Sequence, residues 1–370
     1  MRRTIIALVF AAGLAAGYAC MSAQTSPASS EAFKLGTFEH NGSEFLGIVL
    51  RDTQVIDIAQ ANAALERSDS SQTRLAAPAD MKELITRYDA GWRERLRVIV
   101  GQVTGAQSAP QYVHALSDLK VRPPVRPSII LNAAGNYQEH AAGIAQQQQR
   151  AGGGGGATET ANADANSVPG IWERRPGDPR RNPYLFLKSP TIVIGDGDPI
   201  VVPKDRDRID HECEFAVVIG KVAKRVPVES AADYIFGYTN EIDASDRGGR
   251  GDQGFGSDWL VGKNHDTFAP LGPFITPKEF IEDPLNLRQV FTLNGDVKQD
   301  SNTSRMTHDI YELIHFSSNL LSLNPGDVIS GGSPAGTNIE RAEPQWMKAG
   351  DVAVCTIDGI GALTHPVVAE

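Results

Sequence analysis

Apolar and polar residues alternate from Phe33 to Ile58: Phe-Lys-Leu-Gly-Thr-Phe-Glu, then Glu-Phe-Leu-Gly-Ile-Val-Leu, then Gln-Val-Ile-Asp-Ile, with Asn41-Gly42 between the first two runs. A period of two places every second side chain on one face, so the stretch reads as an antiparallel meander that opens with a hairpin. From Met81 to Val100 the period changes. Leu84, Ile85, Tyr88, Trp92 and Leu96 recur at helical spacing, which predicts a helix. Beyond Tyr184 short apolar runs return at Thr191–Ile194, Pro199–Pro203, Glu214–Ile219, Val290–Leu293, Asp327–Ile329 and Val352–Val354. One helix, over Met306 to Leu321, interrupts them, with Ile310, Leu313, Ile314 and Leu321 on one side. Many short strands and few helices predict an α+β, β-rich barrel or roll rather than a doubly wound sheet.

The Pro-rich piece Pro123-Pro124-Val125-Arg126-Pro127 reads as a stiff extended connector. It divides a small β-rich N-terminal module, residues 31–122, from a larger C-terminal domain, residues 127–370. Inside the larger domain, residues 146–183 hold a run of four glutamines, five glycines (Gly152 to Gly156) and an Arg/Pro cluster. Such composition buries too little apolar surface to offset its ordering entropy. The segment is read as a flexible surface insertion, with a mobile active-site lid as the functional alternative.

Residues 1–23 follow a different rule. Arg2 and Arg3 precede an apolar run from Ile5 to Ala19 and a small, polar stretch from Ser22, the layout of a secretory signal peptide cut near Ala19 or Ala23. The apolar run is shorter than the ~20 residues of a spanning helix. The expectation is therefore export, to the periplasm, with no membrane attachment in the mature form. Composition narrows the partners. The 370 residues are 41% apolar and 22% charged with a formal charge of −10, so there is no basic footprint for nucleic acid, and a small molecule is the expected ligand. Of the three cysteines, Cys213 and Cys355 remain after cleavage. They could pair in an oxidising compartment, yet the chain does not look built around a bridge, and each is read as buried and unpaired.

The segment Asp210-His211-Glu212-Cys213-Glu214-Phe215-Ala216-Val217-Val218-Ile219-Gly220 carries the chemistry. On a strand Glu212 and Glu214 share one face, and His211, Cys213 and Phe215 take the other. Two carboxylates entering a buried strand repel each other and resist losing water, penalties that a divalent cation removes together. All-oxygen ligation favours Mg²⁺, Mn²⁺ or Ca²⁺ over zinc. A third carboxylate follows in Phe236-Gly237-Tyr238-Thr239-Asn240-Glu241-Ile242-Asp243-Ala244-Ser245-Asp246-Arg247: Asp243, with Glu241 as a rival two residues earlier.

These runs resemble the fumarylacetoacetate hydrolase family. The likeness continues through Gly262-Lys263-Asn264-His265-Asp266-Thr267-Phe268-Ala269-Pro270-Leu271-Gly272-Pro273, Leu293-Asn294-Gly295-Asp296 with Gln299 and Thr303, and Asn324-Pro325-Gly326-Asp327-Val328-Ile329 into Ser333-Pro334-Ala335-Gly336, and it reaches upstream to Gly135-Asn136-Tyr137-Gln138-Glu139-His140. The resemblance implies a mixed β-roll over residues 127–370 and a Mg²⁺-type site, with Mn²⁺ or Ca²⁺ as alternatives, held by Glu212, Glu214 and Asp243. It implies a 2-oxo acid or 1,3-diketo acid as substrate, reacting through an enolate by C–C hydrolysis, isomerisation or decarboxylation. It also implies a homodimer. Lys263 matches the family lysine beside the metal. Arg247 matches a carboxylate clamp, and Ser333 and Gln299 match substrate contacts. His140 matches the histidine that activates water with a glutamate one helical turn later.

Three departures matter. The glutamate position is Gly143, so His140 lacks its partner, and Glu159 or Glu173 from the insertion are candidate replacements. Gly331 stands where the family has a threonine. After Arg247, Gly248 to Gly251 intervene before Asp252 and Gln253. Hydrolysis is the leading expectation. Tautomerisation, decarboxylation and non-catalytic binding of such acids are the rivals.

Overall fold

The computed structural model describes residues 31–150, 171, 172, 178, 180–251 and 258–370. The expected signal peptide, most of the 146–183 insertion with Glu159 and Glu173, and Asp252 and Gln253 lie outside the described residues. Among those described, no helix is long and apolar enough to cross a membrane.

The meander forms β1 (Lys34–His40), β2 (Ser43–Leu50) and β3 (Gln54–Asp57), paired antiparallel. Asn41 and Gly42 both take positive φ, 50° and 80°, the turn geometry that suits strand twist. Leu35, Ile48, Leu50 and Ile56 point into the core. Helix α1 (Ile58–Ser68) follows without a break, because the Asp57 carboxylate accepts the Gln60 N–H and caps it. The helix predicted over Met81–Val100 is instead two, α2 (Met81–Thr86) and α3 (Arg93–Gly105), on either side of a wide turn at Tyr88–Trp92. Gly91 adopts φ 115°, which interrupts the helical ladder. The spacing nevertheless marked the core correctly, since Leu84, Ile85, Tyr88, Trp92 and Leu96 are all buried. β4 (Val113–Ala115) and β5 (Lys120–Arg122) then pair with β3 and β1.

After the Pro-rich connector, β6 (Ile130–Ala133) leads into α4 (Gln138–Arg150), and β7 (Leu185–Lys188), β8 (Val193–Ile194), β9 (Ile200–Val202) and β10 (Ile209–Asp210) lead to the central strands. These are β11 (Cys213–Ile219), β12 (Ile235–Ile242) and β13 (Ser245–Asp246), followed by α5 (Trp259–Lys263), β14 (Ala269–Pro277), β15 (Arg288–Leu293) and β16 (Asp296–Asn302). Helix α6 (Ile310–Leu320), β17 (Val328–Ser330), β18 (Val352–Ile357) and β19 (Gly361–Ala369) complete the chain. One sheet runs β4-β3-β2-β1-β14-β12-β11-β17-β6-β7, and a second runs β16-β15-β18-β19-β9. Both are open, and both mix parallel with antiparallel pairs. The architecture is mixed α+β and strand-rich, as the patterning predicts. Residues 31–370 form one compact unit, and β1 joins the larger sheet through Leu35 opposite Ile275.

The two sheets meet at β11 and β18, and there Cys213 and Cys355 form a disulfide with a Cα–Cα separation of 5.3 Å. This corrects the expectation of two unpaired thiols. The partners lie 142 residues apart, so no local spacing announces the bridge; it arises from packing one sheet on the other. The C-terminal end of the insertion is tied down. Trp172 is buried against His308, His315 and Phe316, and Arg180 pairs with Asp178 and Glu312 while donating to the Thr307 carbonyl.

Candidate metal centre and active site

β11 and β12 are buried along their whole lengths, so any acid on them is withdrawn from water. Their register sets Glu214 opposite Glu241, and the Asp243 N–H donates to the Glu212 carbonyl at 2.8 Å. The consequence is a triad: one carboxylate oxygen each from Glu212, Glu214 and Asp243 lies within 4.8 Å of the others. Burial and the neighbouring acids Asp243, Glu241 and Glu212 push the Glu214 carboxyl well up. Burial raises Asp243 also, against the pull of Lys188 and Lys263. Glu212 behaves oppositely: despite burial, Lys263, Arg247 and His140 hold it well below the usual carboxylate range. A hard divalent cation fits this donor set, because it offers only oxygen and relieves the mutual repulsion.

Two lysines brace the triad. Lys263 Nζ donates to Glu212 Oε2 at 2.7 Å, Asp243 Oδ2 at 2.5 Å and Ser245 Oγ at 2.7 Å, beneath the ring of Phe186. Those acceptors use all three of its N–H directions. Lys188, fully buried, donates to Asp243 Oδ1 and to the Phe268 carbonyl at 2.6 Å. Lys188 was not singled out in the sequence. A signal existed, since strand alternation turns it inward together with Phe186.

Arg247 is spent on protein acids: Nε donates to Asp210 Oδ2 at 3.0 Å and an Nη to Glu212 Oε1 at 2.5 Å. Asp210 also accepts the backbone N–H groups of Asn338 and Ile339, at 2.8 and 3.2 Å. It thereby fastens the short helical turn Asn338–Glu340 beside the metal strand. Gln299 and Ser333 come together. The Gln299 amide donates to Ser333 Oγ at 2.8 Å and to the Pro334 carbonyl at 2.7 Å, and it accepts the Cys213 N–H at 3.0 Å. Both residues, expected at the substrate, form part of the frame that fixes the backbone between the two metal-strand glutamates.

His140, 3% exposed, stands on the first turn of α4. Its Nδ1 pairs with Glu340 Oε1, and its Nε2 lies 3.7 Å from Glu212 Oε1. Glu340 is held in turn by Thr337 Oγ1 at 2.9 Å and the Gly336 N–H at 3.0 Å. A Cβ built on Gly143 would fall 2.9 Å from Glu340 Cγ and 3.0 Å from Oε2. The space that a side chain at position 143 would need is therefore filled by a glutamate from the far end of the chain. With Nδ1 paired to Glu340, the imidazole turns Nε2 toward the triad, the orientation that a general base needs.

A strand-rich fold around a buried three-carboxylate cluster beside a histidine–glutamate pair frames a candidate metal centre. Residues 130–368 match the family described as fumarylacetoacetate (FAA) hydrolase C-terminal, and the chain belongs to that family. Among its relatives, the mitochondrial oxaloacetate tautomerase fahd2 of Xenopus laevis is 42% identical over 188 residues, which cover 51% of this chain and 59% of that protein. Maleylpyruvate hydrolase from Sphingobium sp. SYK-6, solved with manganese(II) and pyruvate, superposes with a TM-score of 0.63 at 26% identity, covering 91% of this chain and 99% of that one. The 5-carboxymethyl-2-hydroxymuconate delta-isomerase of Mycobacterium smegmatis gives a TM-score of 0.60 at 27% identity, covering 91% and 99%. The family is enzymatic, and its members named here include a hydrolase, an isomerase and a tautomerase.

Proposed function

We propose that the protein is a divalent-metal-dependent enzyme that hydrolyses a C–C bond of a small 1,3-diketo acid of the acylpyruvate class. The observation that carries this reading is the pairing of His140 with Glu340. It supplies the carboxylate that Gly143 lacks, at a buried triad suited to Mg²⁺ or Mn²⁺. An ion held by Glu212, Glu214 and Asp243 would supply Lewis acidity toward the oxygens of the substrate's 2-oxo acid end.

The residues supply the rest. His140 Nε2 accepts a proton from water as the oxygen bonds to the C4 carbonyl carbon, and Glu340 stabilises the imidazolium that results. When the C3–C4 bond breaks, the electron pair stays on C3 as an enolate. The proton on His140 then passes to C3, giving pyruvate and a carboxylic acid. Lys263, its hydrogen bonds engaged, contributes charge rather than a new bond to the enolate.

A second reading, oxaloacetate tautomerisation, is favoured by the frog relative and needs the same histidine to move a proton without consuming water. Assays of acylpyruvates, hydroxymuconate-type substrates and oxaloacetate, with Mg²⁺ and with Mn²⁺, separate the two. Metal-dependent release of pyruvate supports hydrolysis; metal-dependent enol–keto exchange without cleavage supports the tautomerase. Metal-dependent ligand binding with no turnover would sink both. Export to an oxidising periplasm belongs to the same proposal, supported by the leader and by the Cys213–Cys355 bridge, which such a compartment maintains. So does the homodimer, for which size-exclusion light scattering is the test.

A further inference from the structure

The triad has a fourth carboxylate behind it. Glu241, fully buried, stands opposite Glu214 in the β11–β12 pairing. Its Oε2 accepts from Asn132 Nδ2 at 3.0 Å, and the same nitrogen lies 3.3 Å from Glu214 Oε2. Its Oε1 has no hydrogen-bond partner among the described residues. A buried carboxylate in that condition is costly unless a positive charge compensates it.

The cations around it are already assigned. Lys188 and Lys263 bind Asp243 and Glu212, Arg247 is shared between Asp210 and Glu212, and Arg206 binds Asp246. Glu340 lies apart, on the far side of His140. None of these cations pairs directly with Glu241.

We propose that Glu241 is an outer positioning residue of the metal centre. In this role its carboxylate, through the shared Asn132 amide, holds Glu214 in place and so strengthens binding of a divalent cation. Groups outside the first ligand shell commonly set metal affinity in this way. The inference rests on the reading of Glu212, Glu214 and Asp243 as ligands.

The test is Mn²⁺ titration of the full chain, reading free Mn²⁺ by electron paramagnetic resonance, together with the melting temperature in EDTA. Glu241→Gln keeps shape and removes charge. Its Kd for Mn²⁺ should rise at least tenfold, while its melting temperature in EDTA stays level or rises, since a buried carboxyl with an unpartnered oxygen has gone. A merely structural role would lower that melting temperature instead. The double variant Glu241→Gln/Asn132→Asp returns the charge on the other side of the same hydrogen bond and should recover most of the affinity. A rise below tenfold in Glu241→Gln, or no recovery in the double variant, overturns the proposal. Failure of the wild type to bind Mn²⁺ would refute the ligand assignment itself.

Discussion

The two ends of the candidate site are built differently. At the acid end, Glu212 lies just before β11, Glu214 on it and Asp243 just after the neighbouring β12, so a single strand pair brings the three together. At the base end, His140 and Glu340 are 200 residues apart and meet where Asp210, within the acid motif, binds the backbone just ahead of Glu340. The acid end is a local property of a strand pair. The base end is a property of the whole fold, and it can lose a residue at one position and regain the same chemical group from another.

The largest effects should separate these ends. Glu212→Ala or Glu214→Ala should abolish Mn²⁺ binding in calorimetry and with it all metal-dependent turnover; retained affinity in both variants would remove the acid end from the account. Glu340→Gln should leave Mn²⁺ affinity within a few-fold of the wild type yet lower kcat by about 10²-fold, the usual scale for impairing a general base. Gly143→Glu alone should also impair turnover, because the new side chain meets Glu340.

The covalent link between the sheets comes next. Cys213→Ser/Cys355→Ser should cost about 2–5 kcal/mol in denaturant unfolding, as for other native bridges, with the metal strand's affinity for Mn²⁺ reduced but present. An unchanged midpoint with and without reductant would show that the bridge contributes nothing.

A group remote from both ends calibrates the pH response. Burial lowers the His365 imidazole to about 4, so below about pH 6.5 the unfolded chain takes up a proton that the folded chain refuses. Stability should decline as pH falls from about 6.5 and level off near 4, with a slope of at most about 1.4 kcal/mol per pH unit from this group. The difference between wild type and His365→Asn should carry that slope, and Mn²⁺ affinity at neutral pH should not differ between them.

The same contrast explains what could be read from the chain. The meander, the α6 helix and the strand that begins just after Glu212 and bears Glu214 were legible because period and burial coincide over a few residues. The acid triad was legible because its members sit at strand spacing within recognisable runs. The break at Gly91 was not, since a helical apolar spacing continues through it and one residue's positive φ decides the outcome. Lys188 was within reach, as a lysine on the inward face of an apolar strand. The disulfide and Glu340 were out of reach: each depends on contacts between segments 142 or 200 residues apart, and no local pattern encodes them.

The most direct test of the account is a comparison of kcat for wild type, Glu340→Gln and Glu340→Ala/Gly143→Glu, in which truncation at 340 frees the space beside position 143, on one acylpyruvate at saturating Mn²⁺. The account predicts a loss of about 10²-fold in the single variant, and recovery of at least a tenth of wild-type kcat in the double variant, where a carboxylate again reaches His140 from α4. Wild-type turnover by Glu340→Gln would contradict it, because His140 would then need no carboxylate partner.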